Sequence, residues 1–91
     1  MTKTIVINGI YQRYKGNKYQ VLEIARNESN PKQLMVVYKA LYTDKRDMKL
    51  FEGNTVWVRA IDNFLGMVDD NTRRFTLCDN PSNGIVIHIE Y

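Results

Sequence analysis

Ninety-one residues with 44% hydrophobic and 25% charged side chains make a single domain, 1–91, of the soluble globular class with one small core. The longest apolar runs, such as Ile85-Val86-Ile87, fall far short of the roughly 20 residues of a membrane helix. The few apolar residues after Met1-Thr2-Lys3-Thr4 do not make a signal-peptide core, so the expected location is the cytoplasm, with no membrane partner. Cys78 is the only cysteine, which excludes an intramolecular disulfide and a thiolate cluster. It is expected to be a small buried strand residue.

The net charge of +3 is unevenly spread. Met1 to Tyr42 holds seven Lys/Arg and two Glu, and Thr43 to Tyr91 holds six Lys/Arg and eight Asp/Glu. The basic excess therefore lies wholly in the first half and offers an anion-attracting face, below the density of a dedicated nucleic-acid arm.

Lys3 to Ile7 is β-branched and reads as a first strand. Asn8-Gly9 is a strong two-residue turn signal, followed by a second strand from Ile10 to Tyr14. Alternation places Tyr11 and Arg13 on one face of it, with Gln12 and Tyr14 on the other. Lys15-Gly16-Asn17-Lys18 reads as a tight turn. Tyr19 to Arg26 is the third strand, with Leu22 and Ile24 expected inward, and Asn27 to Lys32 is a loop by composition. Gln33 to Tyr42 is the longest strand candidate; its Met35-Val36-Val37-Tyr38 centre favours strand over helix.

Thr43 to Asn54 is charged and reads as a long exposed connection. Thr55 to Ala60 alternates, with Val56 and Val58 expected inward and Trp57 and Arg59 on the opposite face. Ile61 to Leu65 reads as one helical turn ended by Gly66. Met67-Val68 resumes an extended path, Asp69 to Thr72 turns, and Arg74 to Cys78 is a strand. Asp79 to Gly84 is a loop before the closing strand, Ile85 to Tyr91. Six or seven short strands with one helical turn predict an all-β domain, a small barrel rather than a full sandwich at this length.

Three blocks carry a resemblance. Tyr11-x-x-Tyr14-Lys15-Gly16-Asn17-x-Tyr19-x-Val21, then Val36-Val37-Tyr38-x-Ala40-Leu41-Tyr42, then Trp57-Val58-Arg59 with Phe64 resemble a small bacterial and phage domain family of unknown function. Its pattern runs Y-R-H-Y-K-G-x-x-Y-x-V, V-V-Y-x-A-L-Y and L-W-V-R-P-x-x-x-F. The resemblance covers roughly residues 9–68, with 69–91 as a C-terminal strand extension, and implies an SH3-like barrel. This chain has Gln12-Arg13 where the pattern has Arg-His, and Ala60 where it has proline. A role resting on that histidine does not transfer, and the family has no assigned activity.

Two surfaces stand out. If their strands pair, Tyr38 and Tyr42 on one and Trp57 and Arg59 on the other form an aromatic platform that stacks a flat group beside a fixed cation, and Tyr11, Tyr38, Trp57 and Arg59 line a groove for a peptide. The competing reading packs these aromatics into the core with tyrosine hydroxyls at its rim, and pairs Arg59 with Asp62 or Glu23. The second surface is the hairpin of Arg13, Tyr14, Lys15 and Lys18, whose cations suit phosphates. His88 is the only histidine and is expected on the surface, far from making a metal site. Asp69 and Asp70 are turn neighbours that diverge, so they are no acid–base pair. No phosphate loop, nucleophile elbow or metal motif occurs. The expectation is a non-enzymatic binding or adaptor module with no cofactor or metal. It takes a protein or peptide through the aromatic and arginine groove, or alternatively a nucleic acid or nucleotide through the hairpin.

Overall fold

The computed structural model describes residues 2–42 and 54–90. Among the described residues, seven strands and one helical turn follow in order: β1 (Thr2–Ile7), β2 (Ile10–Arg13), β3 (Lys18–Asn27), β4 (Asn30–Ala40), β5 (Val56–Ala60), α1 (Ile61–Phe64), β6 (Phe75–Asp79) and β7 (Ile85–Glu90). The five-stranded sheet has the order β5-β4-β3-β2-β6, and β1 pairs with β7 in a sheet of two. Every pairing is antiparallel. The all-β reading and its single helical turn hold. Among the described residues the ladders form two sheets and are not joined into a closed barrel. The connection expected from Thr43 to Asn54 lies, up to residue 53, outside the described residues.

Asn8-Gly9 is a corner, not a hairpin turn, since β1 and β2 belong to different sheets. Asn8 takes φ 71°, a left-handed value that asparagine tolerates. The Asn8 N–H donates to the Val21 carbonyl at 2.8 Å, and the Val21 N–H donates to the Gly9 carbonyl at 3.0 Å. The corner is thus stitched to β3. The hairpins are β2–β3 and β3–β4, the second taking most of the Asn27–Lys32 loop into its strands; the first is closed by Gly16 at φ 108°, where a side chain would be strained. Its N–H donates to the Arg13 carbonyl at 2.7 Å.

Burial corrects the face assigned to β3. Tyr19 and Val21 point into the core, and Leu22 is only half-buried. The β3–β4 register shifts between Val21 and Glu23. A bulge of this kind resets alternation, so Ile24, but not Leu22, returns to the core. The face of β5 is inverted too. Tyr38 pairs with Trp57 and Val36 with Arg59, which places Trp57 and Arg59 on the core face of β4 and turns Val58 outward at 62% exposure. Cys78 is exposed rather than buried, because its edge strand β6 buries only Phe75.

The core is an aromatic cluster. Phe64 and Phe75 stack at 4.1 Å with rings 8° apart. Tyr11 and Tyr38 meet Phe64 edge-on at 5.3 and 5.2 Å, and Tyr19 meets Phe75 edge-on at 5.6 Å. Edge-on and offset contacts are the arrangements that ring quadrupoles favour. Phe64 reaches the centre because α1 sets Ile61 and Phe64, three residues apart, on its buried side. Gly66 ends the turn where a Cβ would lie 2.8 Å from the Asp62 carbonyl.

Candidate binding site at the open end of the aromatic core

The cluster opens on one side into a pocket of about 140 Å³ lined by Arg13, Tyr19, Tyr38, Tyr42, Trp57 and Arg59. Pairing and alternation build it. Arg13 follows Tyr11 by two residues on the inward face of β2 and pairs with Phe75 of β6. Arg59 lies opposite Val36 and Trp57 opposite Tyr38. The two sequence-derived surfaces therefore meet in part. Arg13 belongs to both, lining the pocket with Tyr38, Trp57 and Arg59 while its Cζ stays near the Tyr14 ring.

Arg59 is held by neutral partners. Its Nε donates to the Tyr38 hydroxyl at 3.2 Å, and its Nη1 donates to the Asn63 Oδ1. Its Cζ lies 5.8 Å from the centre of the Phe75 ring. The expected ion pair with Asp62 or Glu23 does not form. Glu23 Oε1 instead accepts the Ile24 N–H at 3.0 Å, and Asp62 is exposed. Arg13 Nε is buried and has no hydrogen-bond partner. Among the described residues, no carboxylate pairs with either guanidinium. Tyr19 and Tyr42 share a hydroxyl–hydroxyl hydrogen bond of 3.0 Å at the rim, and Trp57 is 40% exposed.

Tyr11 does not belong to this groove. Its ring is 4% exposed, and its hydroxyl accepts the Val6 N–H at 3.0 Å. The inward face that brings Arg13 to the pocket buries Tyr11 beneath it. Burial raises the Tyr11 pKa above the usual tyrosine value, an effect that the Val6 N–H partly offsets. Tyr14, Lys15 and Lys18 stay on the exposed hairpin tip. There Arg13 Cζ and Lys15 Nζ lie 5.7 and 5.8 Å from the Tyr14 ring centre.

Sequence reasoning leaves Tyr19 out of this groove and gives no place to Asn63. Tyr42 is grouped with Tyr38 from the sequence, four residues away on one strand face, and it lines the pocket. Tyr19 was hidden by the wrong choice of inner face on β3, and nothing in the sequence marked Asn63. Elsewhere, the Asp69 carboxylate accepts the Asn71 N–H at 2.9 Å. This bond, with help from the Thr72 side chain, lowers its pKa, so the carboxylate serves its own turn. His88 is exposed on β7. No group of three His, Cys, Asp or Glu among the described residues is placed to hold a metal ion, and no helix among them is long and apolar enough to cross a membrane. A larger cleft of about 330 Å³ is lined by Thr2, Lys3, Thr4, Leu65 and Arg73 but contains no aromatic ring.

No curated protein matches this chain, and no solved structure matches it. One family model does, over residues 9–77, a span that runs from the Gly9 corner into β6 and contains every residue lining the arginine pocket. The chain therefore belongs to the DUF1653 family, described as a protein of unknown function.

Proposed function

We propose that this chain is a small non-enzymatic binding module that captures an acidic segment of a protein partner. A carboxylate enters between Arg13 and Arg59, and Trp57 covers the aliphatic stem behind it. One observation carries the reading: two guanidiniums line one small pocket, Arg13 Nε is buried without a partner, and no described carboxylate pairs with either. Like charges in a confined pocket repel, and a buried unpaired donor costs about 1–3 kcal/mol. An incoming carboxylate relieves both, and arginine's planar fork suits it. The finer setting, a bacterial or phage protein acting in the cytoplasm, forms part of the same proposal.

The test is a titration of labelled protein, followed by NMR and Trp57 fluorescence, with a capped glutamate-rich peptide and its lysine-substituted control. The expected result is binding of the acidic peptide alone, with shifts around Trp57 and Arg59. Arg59→Gln is expected to weaken it at least tenfold. Equal response to both peptides would overturn the reading. A second reading, nucleic-acid binding, rests on Tyr14, 45% exposed between Arg13 and Lys15. It predicts instead salt-sensitive shifts on the hairpin with a short single-stranded oligonucleotide.

A further inference from the structure

Among the described residues, the pocket opens beside an edge of the five-stranded sheet. Among the described residues β5 is one of the sheet's two outermost strands, and it carries three consecutive exposed hydrophobic residues: Val56 at 43%, Trp57 at 40% and Val58 at 62%. Long apolar edges invite pairing with another chain, and natural proteins commonly blunt them with charge, proline or a bulge. β5 has no proline, its pairing with β4 runs without a register shift from Val56 to Ala60, and its one charged residue, Arg59, turns into the pocket.

The hydrogen-bond phase of β5 is fixed. The Ala40 N–H donates to the Thr55 carbonyl at 2.9 Å, which makes Ala40 and Thr55 a hydrogen-bonded pair. In an antiparallel ladder such pairs alternate with non-bonded ones. Trp57 opposite Tyr38 and Arg59 opposite Val36 thus spend their backbone groups on β4. Val56, Val58 and Ala60 aim theirs outward, away from the sheet.

Resting on the binding reading above, we infer that the partner segment adds to the edge of β5 as a sixth strand. It runs antiparallel, as every other pair in this sheet does, with alternating apolar and acidic residues. Its apolar residues lie opposite Val56, Val58 and Ala60, exchange backbone hydrogen bonds with them and cover the exposed valine face. Its acidic residues lie opposite Trp57 and Arg59. Residues opposite one another in a pair share a face, so those carboxylates emerge on the pocket side, next to Arg59 and Arg13. Main-chain bonds supply affinity in this mode, and alternate side chains supply specificity. The charge requirement and the edge geometry are separate observations, and both select the same alternation.

The probe is the capped pentapeptide Ac-Val-Glu-Val-Glu-Val-NH2, titrated into the full labelled chain with hydrogen exchange followed by NMR. Binding is expected to slow exchange of the Val56 and Val58 amides at least tenfold and to leave the Trp57 and Arg59 amides, already bonded to β4, little changed. N-methylating the peptide's outer two valines removes donors that face β5 and is expected to abolish binding. N-methylating its two glutamates, whose N–H groups face away, is expected to leave affinity within about threefold. Binding that survives valine methylation, or that leaves the Val56 and Val58 amides unprotected, overturns strand addition while the pocket reading stands. No binding by this peptide or by other glutamate-rich peptides overturns both. Response to an oligonucleotide alone, centred on Tyr14 to Lys18, replaces both with the nucleic-acid reading.

Discussion

Tyr11 and Tyr38 are each 4% exposed, and each meets Phe64 edge-on at nearly the same distance. They end differently. The Tyr11 hydroxyl accepts a backbone N–H, from Val6, on the side where the β1–β2 corner packs against β3. The Tyr38 hydroxyl accepts from Arg59, a side chain that is itself part of the pocket. The first tyrosine closes the core and the second connects it to solvent. Ring burial does not separate a structural aromatic from one at a site, but the partner of its hydroxyl does.

Removing what the two tyrosines share gives the largest effect. Phe64 is fully buried and touches Tyr11, Tyr38 and Phe75. Phe64→Ala is expected to lower stability by about 3–5 kcal/mol, the usual range for deleting a buried phenylalanine. Urea unfolding measures it. A loss below about 1 kcal/mol would mean that Tyr11 and Tyr38 do not lean on a common centre.

Removing only the hydroxyls separates the two ends. Tyr11→Phe leaves the Val6 N–H buried without an acceptor, and a backbone group in a strand cannot turn to water. The expected loss is about 1–3 kcal/mol. Tyr38→Phe frees the Nε of a half-buried arginine that is able to swing toward solvent, for an expected loss of about 0.5–1.5 kcal/mol. Peptide affinity is expected to reverse the order, with Tyr38→Phe weakening it and Tyr11→Phe leaving it intact. Equal effects in both assays would break the comparison.

The strands and the helical turn were legible in the sequence because β-branched runs, glycine turns and period-two alternation are local signals. The sign of a face is not local. Val56-Trp57-Val58-Arg59 alternates cleanly, and hydrophobicity alone sends its valines inward. The register opposite Tyr38 and Val36 sends them outward, where Val56 and Val58 stay exposed. Leu22 fails for another reason, a one-residue register shift that only the partner strand reveals. The site was half legible on the same terms. Tyr38, Trp57 and Arg59 were grouped on the condition that their strands pair, and they do. Arg13 was placed with the hairpin lysines because they are near in sequence, yet it follows Tyr11 inward and leaves Lys15 and Lys18 outside. Tyr11 was placed in the groove since a tyrosine's periodicity is the same whether its hydroxyl ends on backbone or at a rim.

The smallest effect concerns charge at the closed end. Burial raises the Tyr11 pKa, so the folded state holds this phenol neutral at a pH where the unfolded chain ionises it. A group with a raised folded pKa contributes its full stability below the unfolded value, about 10 for tyrosine, and loses it as pH rises toward and through the folded value. Wild type is therefore expected to lose stability relative to Tyr11→Phe as pH climbs above about 10, at a slope of at most about 1.4 kcal/mol per pH unit. Taking the difference between the two chains isolates the contribution of Tyr11. Urea unfolding at pH 8, 9, 10 and 10.5 measures it, all ordinary working values for tyrosine ionisation. A gap that stays constant across this series would mean that Tyr11 ionises as freely folded as unfolded. The closed end would then be open to water, and the distinction between the two tyrosines would rest on Arg59 alone.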